Sequence, residues 1–209
     1  MKKNFILLTI CLFSLLSSNA QNWDNYRVGR KYEGYVITND GAKIEGYVLA
    51  QIRASALHSG LWNDNQTRVE FYIDPNDKNT RTVYSPEDIK EYMINGMIYR
   101  TVNYSGGLLS KPLRFLLLQQ DGHIARYIWY ENEGTDTYPN FKEKTVFQKG
   151  NERSFELTDY AINFSKKMSA LVSDYPELAR KVAQKEKGYR MLNIYEIIDK
   201  YNEWYSVQK

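Results

Sequence analysis

Residues 31–49 read Lys-Tyr-Glu-Gly-Tyr-Val-Ile-Thr-Asn-Asp-Gly-Ala-Lys-Ile-Glu-Gly-Tyr-Val-Leu, with the triplet Gly-Tyr-Val on both sides of Asp40-Gly41. Asp-Gly is typical of a two-residue type I′ turn, because both central residues of that turn have positive φ. The stretch therefore predicts a β-hairpin in which each tyrosine ring lies over a glycine of the other strand. The predicted register pairs Ile37 with Ile44, Tyr35 with Gly46, and Gly34 with Tyr47.

Further hairpins follow the first one along the chain. Asn95-Gly96 predicts a second type I′ turn, with Tyr92 opposite Tyr99 and Met93 opposite Ile98. Asp121-Gly122 predicts the turn of a hairpin over 113–130. In that hairpin 115–118 is a run of four apolar residues without alternation, which is typical of a strand buried on both faces. The predicted partners of 115–118 are, in order, Ile128, Tyr127, Arg126 and Ala125.

After residue 157 the spacing of apolar residues changes to that of helices. Phe164, Met168 and Leu171 are spaced as on one helix face. Tyr175-Pro176-Glu177 predicts the start of a second helix that ends near Gly188, and Asn193 with Glu196 resembles a capping box at the start of a third. The predicted fold class is α+β: an antiparallel, hairpin-rich sheet or partly open barrel, followed by two to three C-terminal helices.

The first twenty residues have the pattern of a signal peptide. Lys2 and Lys3 precede an apolar segment at 5–16, and Ser18-Asn19-Ala20 supplies small residues for cleavage before Gln21. We expect residues 1–20 to be removed and 21–209 to form a single α+β domain, with a β-rich part at 21–157 and a helical part at 158–209. The protein is then exported, to the periplasm or outside the cell. The alternative is a single membrane anchor.

Composition narrows the possible chemistry. The only cysteine is Cys11, and Ile10 before it is unlike the small residue that a lipoprotein signal places there. The exported chain then has no disulfide, no thiol nucleophile and no thiolate metal ligand. Removing Lys2 and Lys3 from the 28 basic residues leaves 26 against 25 acidic residues. Such a balance gives little attraction to nucleic acid or to anionic membranes.

Candidate site residues are few. The chain has two histidines, His58 and His123, and neither lies in a metal-binding or catalytic pattern. We therefore predict no catalytic residue, no metal site and no cofactor. The strongest candidate for a ligand surface is an aromatic and acidic segment, which suits a sugar but is more typical of a solvated loop after a core strand. Its residues are Trp129, Tyr130, Glu131, Asp136 and Tyr138.

Several segments together resemble a known group of proteins. These are the opening glycine-turn hairpin, the Tyr-x-Pro-x-Asp-Ile element at 84–89, Ser-Asp-Tyr-Pro-Glu-Leu-Ala-Arg-Lys-Val at 173–182 and Ile-Ile-Asp-Lys-Tyr-Asn at 197–202. In them the chain resembles exported Bacteroidota proteins of unknown function. Many members have a cysteine where Tyr175 stands, so the chain departs from the pattern there. The resemblance implies a compartment and a shape, and no activity.

The function that these observations favour is a non-enzymatic binding or interaction module of the bacterial cell envelope. Its expected partner is an envelope protein or a glycan, with no nucleic acid, and its only membrane contact is through the signal peptide during export. One alternative is a carbohydrate-active enzyme that acts on a polysaccharide through the segment around Trp129 and Tyr138. Another is an accessory subunit that docks through its C-terminal helices.

Overall fold

A computed structural model describes residues 26–51, 64–104, 113–134 and 140–208, so the predicted signal peptide lies outside the described residues. The fold is α+β, as predicted: ten antiparallel strands form one open sheet, and three helices follow. The strands are β1 (Lys31–Thr38), β2 (Lys43–Leu49), β3 (Val69–Tyr72), β4 (Arg81–Tyr84), β5 (Ile89–Ile94), β6 (Met97–Asn103), β7 (Leu113–Gln120), β8 (Ile124–Asn132), β9 (Phe141–Lys149) and β10 (Phe155–Glu156). The helices are α1 (Phe164–Leu171), α2 (Pro176–Ala183) and α3 (Ile194–Ser206).

The strand order is β10-β9-β8-β7-β6-β5-β1-β2-β3-β4. All but one of these pairings join strands that are consecutive in the chain, as hairpins do. The exception is β1 with β5, which places Tyr35 opposite Met93 and Val36 opposite Tyr92. This single non-local pairing joins the N-terminal strands to the rest of the sheet.

The turn of the first hairpin differs from the prediction. Gly41 has a φ of +95°, whereas Asp40 is not among the residues with positive φ, so the turn is not type I′. Gly41 N–H bonds to Thr38 O at 3.0 Å and Thr38 N–H bonds to Ala42 O at 3.0 Å. These bonds describe a longer loop with glycine after the turn. The predicted register is therefore wrong by one residue, and Tyr35 lies opposite Glu45.

The shifted register places Gly34 directly opposite Gly46. A Cβ atom on Gly34 would overlap the carbonyl oxygen of Met93 in β5, and one on Gly46 would lie 2.6 Å from the ring of Phe71 in β3. The predicted packing of tyrosine rings over glycines is thus wrong. The two glycines instead let β1 and β2 approach neighbouring groups more closely than a side chain would permit.

Of the other two predicted hairpins, one has the predicted register and the other does not. Asn95 and Gly96 have φ of +51° and +79°, so the type I′ turn and its register are confirmed. In the 113–130 hairpin, Leu117 pairs with Ile128 and the ladder is irregular after Leu118, so the predicted register is wrong by two residues. A shift of two keeps every side chain on its face. The prediction of burial on both faces is confirmed, since Phe115, Leu116 and Leu117 are fully buried.

The sheet curls twice, in opposite directions, around two cores. The first core lies on one face and includes Val36, Phe71, Tyr92, Tyr99 and Leu117. The second core lies on the other face of β6 to β9, as the strand pairing shows, and consists of Val102, Tyr104, Leu116, Ala125, Tyr127 and Val146. Strands β7 and β8 contribute side chains to both cores: those on one face of the strand pack in the first core, and those on the other face pack in the second.

A buried glutamine closes the first curl. Gln66, in the short turn Asp64–Gln66 before β3, is 1% exposed. Its side-chain amide pairs with the backbone of Tyr130 in β8: Gln66 Nε2 donates to Tyr130 O at 2.9 Å, and Tyr130 N donates to Gln66 Oε1 at 2.8 Å. Five strands separate β3 from β8 in the sheet, so this contact requires the sheet to curve back on itself.

The second curl closes in a similar way near β10. Ser154, just before β10, donates from its hydroxyl to Asn103 O at the end of β6, at 2.6 Å. Strands β7, β8 and β9 lie between them in the sheet. The sheet therefore bends around the second core and brings its last strand back toward β6.

The helices pack against β8 and β9 through Ile124 and Phe147. Asn202 of α3 fixes them to the sheet, because its side chain accepts from Ile124 N at 2.9 Å and donates to Ile124 O at 3.0 Å. Two details of the helix prediction are wrong. Asn193 makes no side-chain capping bond at the start of α3, and α2 ends at Ala183 instead of continuing to Gly188. None of the described helices is long and apolar enough to cross a membrane.

Candidate functional site

A groove of about 530 Å³ crosses the face of the sheet that carries the second core. We call it the cross-strand groove. Side chains of Arg100 in β6, Tyr127 in β8 and Gln148 in β9 line it, and turn residues at 86–87 and 150–151 border it. Its size lies within the range of about 300–1,000 Å³ that is usual for ligand sites. Its lining residues come from segments that are far apart in sequence.

Arg100 brings a guanidinium group to the groove, and two carboxylates pair with it. Arg100 Nε bonds to Glu91 Oε2 at 2.6 Å, while Nη1 and Nη2 bond to the two oxygens of Asp121 at 2.6 and 2.9 Å. The hydroxyl of Tyr35 donates to the other oxygen of Glu91 at 2.7 Å. Planar guanidinium groups suit such two-point contacts with carboxylates. The network links three strands and the turn after β7, and it leaves the positive charge of Arg100 paired instead of free for an anionic ligand.

The same network shifts the pKa of its members. Hydrogen bonds from Arg100 hold the pKa of Asp121 below its usual value of 3.8. Contact with Asp121, followed by the bond to Glu91, raises the pKa of Arg100 despite its partial burial. The Asp121 carboxylate is therefore ionised at neutral pH and balances the positive charge of Arg100.

A pH prediction follows from Asp121. Its folded pKa is lower than its unfolded pKa, so its contribution to stability is complete above the unfolded value of 3.8 and is lost as the pH falls through the folded pKa. We expect the gap in unfolding free energy between the wild type and Asp121→Asn to be constant from about pH 7 to about pH 5 and to shrink toward zero in stronger acid. Urea titrations at a series of pH values measure it.

The matched control is Glu196→Gln, which changes an exposed carboxyl on α3 that pairs with no cation in the described part of the chain. Its effect on stability should be small at every pH. A gap for Asp121→Asn that persists unchanged at the lowest pH would contradict the assigned pairing with Arg100.

The rim of the groove is polar and carries charges of both signs. Asn39 Nδ2 donates to Glu87 O at 2.8 Å, and Gln148 Nε2 donates to Glu152 O at 2.9 Å. Among the described residues, no donor reaches the side-chain oxygen of either amide. Lys90 and Glu87 add one positive and one negative charge to the lining. The groove thus offers hydrogen-bonding groups together with charges of both signs.

The structure separates the candidate ligand residues predicted from sequence. Trp129 and Glu131 lie on the face of the second core, whereas Tyr130 points to the opposite face and is buried in the first core. Asp136 and Tyr138 lie outside the described residues. The three described residues therefore do not form one surface, because neighbours along a strand point to opposite faces.

Trp129 packs against Tyr104, with ring centroids 5.6 Å apart. Its indole nitrogen is buried and finds no hydrogen-bond partner among the residues that the structure describes. Glu131 forms an ion pair with Lys144, and the same ammonium lies 3.7 Å from Glu156. The hydroxyl of Tyr104 donates to Glu156 at 2.6 Å. The two acids thus share one cation instead of facing an open cavity.

His123 has a packing role, and His58 lies outside the described residues. The imidazole of His123 stacks on Tyr205 of α3 with centroids 3.7 Å apart and a ring angle of 4°. Within the described ranges, no group of three or more potential metal-ligating side chains is present.

The carboxyl groups whose pKa is shifted differ from the one that a general acid needs. Every described carboxyl group with a shifted pKa is shifted downward, and the causes include Arg81 for Glu70 and Lys181 for Glu177. For Asp174, burial alone would raise the pKa, but bonds from Tyr201 and Lys149 outweigh it. A carboxylic acid that donates a proton near neutral pH needs a raised pKa. None of these shifted groups meets that requirement.

Sequence reasoning missed Arg100, Lys90 and Gln148, since none of them lies in a recognisable motif. A partial signal was available for Arg100: with the confirmed register of the 95–96 hairpin, it lies opposite Glu91, as an ion pair across two strands does. Comparison with known proteins adds no further residue, because no protein-family model, curated protein or solved structure matches this chain.

Proposed function

We propose that this chain is a non-enzymatic binding module of the bacterial cell envelope and that it holds an uncharged polysaccharide in the cross-strand groove. The observation that supports the proposal most directly is the internal neutralisation of Arg100 by Glu91 and Asp121. A groove whose main cation is already paired attracts neutral polar ligands better than anions. Export to the envelope is supported by the sequence pattern of residues 1–20.

The polar atoms of the groove suit hydroxyl-rich ligands. Asn39 and Gln148 have side-chain oxygens that can accept hydrogen bonds from sugar hydroxyls. Ala125 and Tyr127 supply an apolar floor between them. Polar groups at the rim and apolar surface at the floor are the usual arrangement in a binding site.

The alternative, a carbohydrate-active enzyme, has less support. A glycosidase requires one carboxyl group that is protonated near neutral pH. The shifted carboxyl groups are instead held ionised by cations or hydroxyl donors, as with Asp121. Binding without cleavage is therefore the function that the groove supports better.

The test is a binding panel on the purified chain that begins at Gln21. Neutral polysaccharides are compared with anionic ones by isothermal titration calorimetry, and released reducing ends are assayed in parallel. We expect saturable binding to at least one neutral polysaccharide, weaker binding to anionic ones and no release of reducing ends. Binding confined to anionic polysaccharides, or to none of the panel, would contradict the proposal, and released reducing ends would favour the enzyme.

A pair of matched variants locates the site. Gln148→Arg places a long cation in the groove and should weaken binding about tenfold or more by blocking contacts. Gln208→Arg makes the same change at an exposed position near the C-terminus and should bind as the wild type does. Equal affinity for the two variants would move the binding site away from the groove.

A further inference from the structure

A second cavity, of about 240 Å³, lies between α2 and α3. We call it the interhelical cavity. Its walls include three aromatic rings, from Tyr175, Tyr189 and Trp204, together with Leu178. Tyr175 and Trp204 stack on each other with centroids 4.6 Å apart and a ring angle of 12°. The cavity is smaller than the roughly 300 Å³ at which drug-sized ligand sites begin, so it suits a small molecule.

Lys200 of α3 points its ammonium group at the cavity instead of at a neighbouring acid. Glu196 and Glu203 lie four residues before it and three residues after it, where helical ion pairs form readily. Lys200 pairs with neither of them. Its Nζ lies 4.6 Å from the ring centroid of Tyr189 and donates to that hydroxyl at 3.3 Å.

Glu203 also lines the cavity, and no cation of the described residues pairs with it. The other lysine of the lining, Lys181, is already bonded to Glu177 at 2.6 Å. The lining charges outside any ion pair are therefore the ammonium of Lys200, which donates to the neutral hydroxyl of Tyr189, and the carboxylate of Glu203. They are separate from each other, because no ion pair joins them.

A ligand can form ion pairs with both Lys200 and Glu203 only if it carries a carboxylate and an ammonium group. A simple anion would be attracted by Lys200 but repelled by Glu203. A simple cation would be attracted by Glu203 but repelled by Lys200. The aromatic walls favour a flat ring, which stacks on such surfaces. We propose that the interhelical cavity binds a small aromatic zwitterion, an α-amino acid with a ring side chain, whose carboxylate pairs with Lys200 and whose ammonium pairs with Glu203.

This site is separate from the cross-strand groove and does not depend on its function. Three related compounds test it: phenylalanine, 3-phenylpropionate, which lacks the ammonium, and 2-phenylethylamine, which lacks the carboxylate. The readout is the indole N–H resonance of Trp204 in a nitrogen–proton correlation spectrum. The chain has four tryptophans, and Trp204→Phe identifies the resonance by its disappearance.

Phenylalanine should shift the Trp204 resonance at millimolar concentration and bind about threefold or more tightly than either partial compound, since exposed ion pairs contribute modestly. In Lys200→Met, phenylalanine and 2-phenylethylamine should bind equally. In Glu203→Gln, phenylalanine and 3-phenylpropionate should bind equally. Lys200 and Glu203 are both exposed, so neither variant is expected to disturb the fold, and the dispersion of the spectrum verifies this.

The control variant is Lys187→Met, which removes an exposed lysine from the connection between the two helices. It should keep the wild-type order of affinities. A Trp204 resonance that does not move with phenylalanine overturns the proposal. So does equal binding of phenylalanine and either partial compound to the wild type, or an unchanged order of affinities in both cavity variants.

Discussion

Gly34→Ala is expected to lower the free energy of unfolding by about 3 kcal/mol or more, the upper end of the cost of overpacking. The added Cβ would overlap the carbonyl oxygen of Met93 in β5 and would press on a methyl group of Val48 at 3.1 Å. The nearest group is backbone, so it cannot turn aside as a side chain can. Relief therefore requires β1 and β5 to separate, at the single non-local pairing in the sheet.

Urea unfolding monitored by circular dichroism measures the effect of Gly34→Ala. The control is Glu33→Ala, on the adjacent, exposed position of the same strand, which should change the free energy by about 0.5 kcal/mol or less. If the two variants were equally stable, β1 would not approach β5 as closely as described.

Gln66→Ala is expected to cost about 2–5 kcal/mol, because the buried N–H and C=O of Tyr130 each lose their partner. The site is 1% exposed, so water cannot replace the amide without entering the core. The small side chain also leaves a cavity beside the first core. Both effects act where the sheet closes on itself.

Differential scanning calorimetry compares Gln66→Ala with Gln208→Ala, which removes the same side chain from an exposed position. The melting temperature of Gln66→Ala should lie well below that of the wild type, and that of Gln208→Ala should equal it. Hydrogen exchange adds a local readout: the amide of Tyr130 should lose more protection than amides of α1. A Gln66→Ala protein with wild-type melting would show that the amide pairing does not close the curl.

Local features were predictable because local chemistry determines them. Asn95-Gly96 adopts the expected turn because asparagine and glycine both tolerate positive φ, and the turn then fixes the register. Helices α2 and α3 begin within a residue of the positions expected from Pro176 and Asn193, and α1 contains the predicted helix face of Phe164, Met168 and Leu171. Apolar spacing and an N-terminal proline are strong signals.

The same reasoning gave the wrong register where the loop is longer than the two-residue loop that the dipeptide suggests. Asp40-Gly41 suggests a two-residue loop, but only Gly41 takes positive φ, and the carboxylate of Asp40 accepts bonds from Thr38 and from Ala42 N instead. Those bonds favour the longer loop. Asp-Gly is compatible with both loops, so the difference of one residue could not be read from the dipeptide.

Long-range contacts could not be predicted from the sequence, for a different reason. Asn65 and Gln66 end the stretch 51–66, where the turn residues Ser59-Gly60 and Asn63-Asp64-Asn65 predict a long connection, yet the two residues are 0% and 1% exposed. Their burial depends on which distant backbone they meet, namely Leu49, Gln51 and Tyr130. The cross-strand groove has the same origin, since it forms where separate turns come together. The placement of Tyr130 away from Trp129 was predictable, because alternation along β8 requires it.

The position of β8 between two oppositely directed curls has a consequence for how the molecule comes apart. Its two faces support two cores, and amide side chains of Gln66 and Asn202 pair with its backbone near the two ends. If the sheet opened around either core, β8 would lose the packing contacts on one of its faces. The strand should therefore behave as the shared element of one cooperative folding unit. The N-terminal strands and the helices should consequently lose their structure in a single transition, with coincident midpoints for fluorescence and circular dichroism.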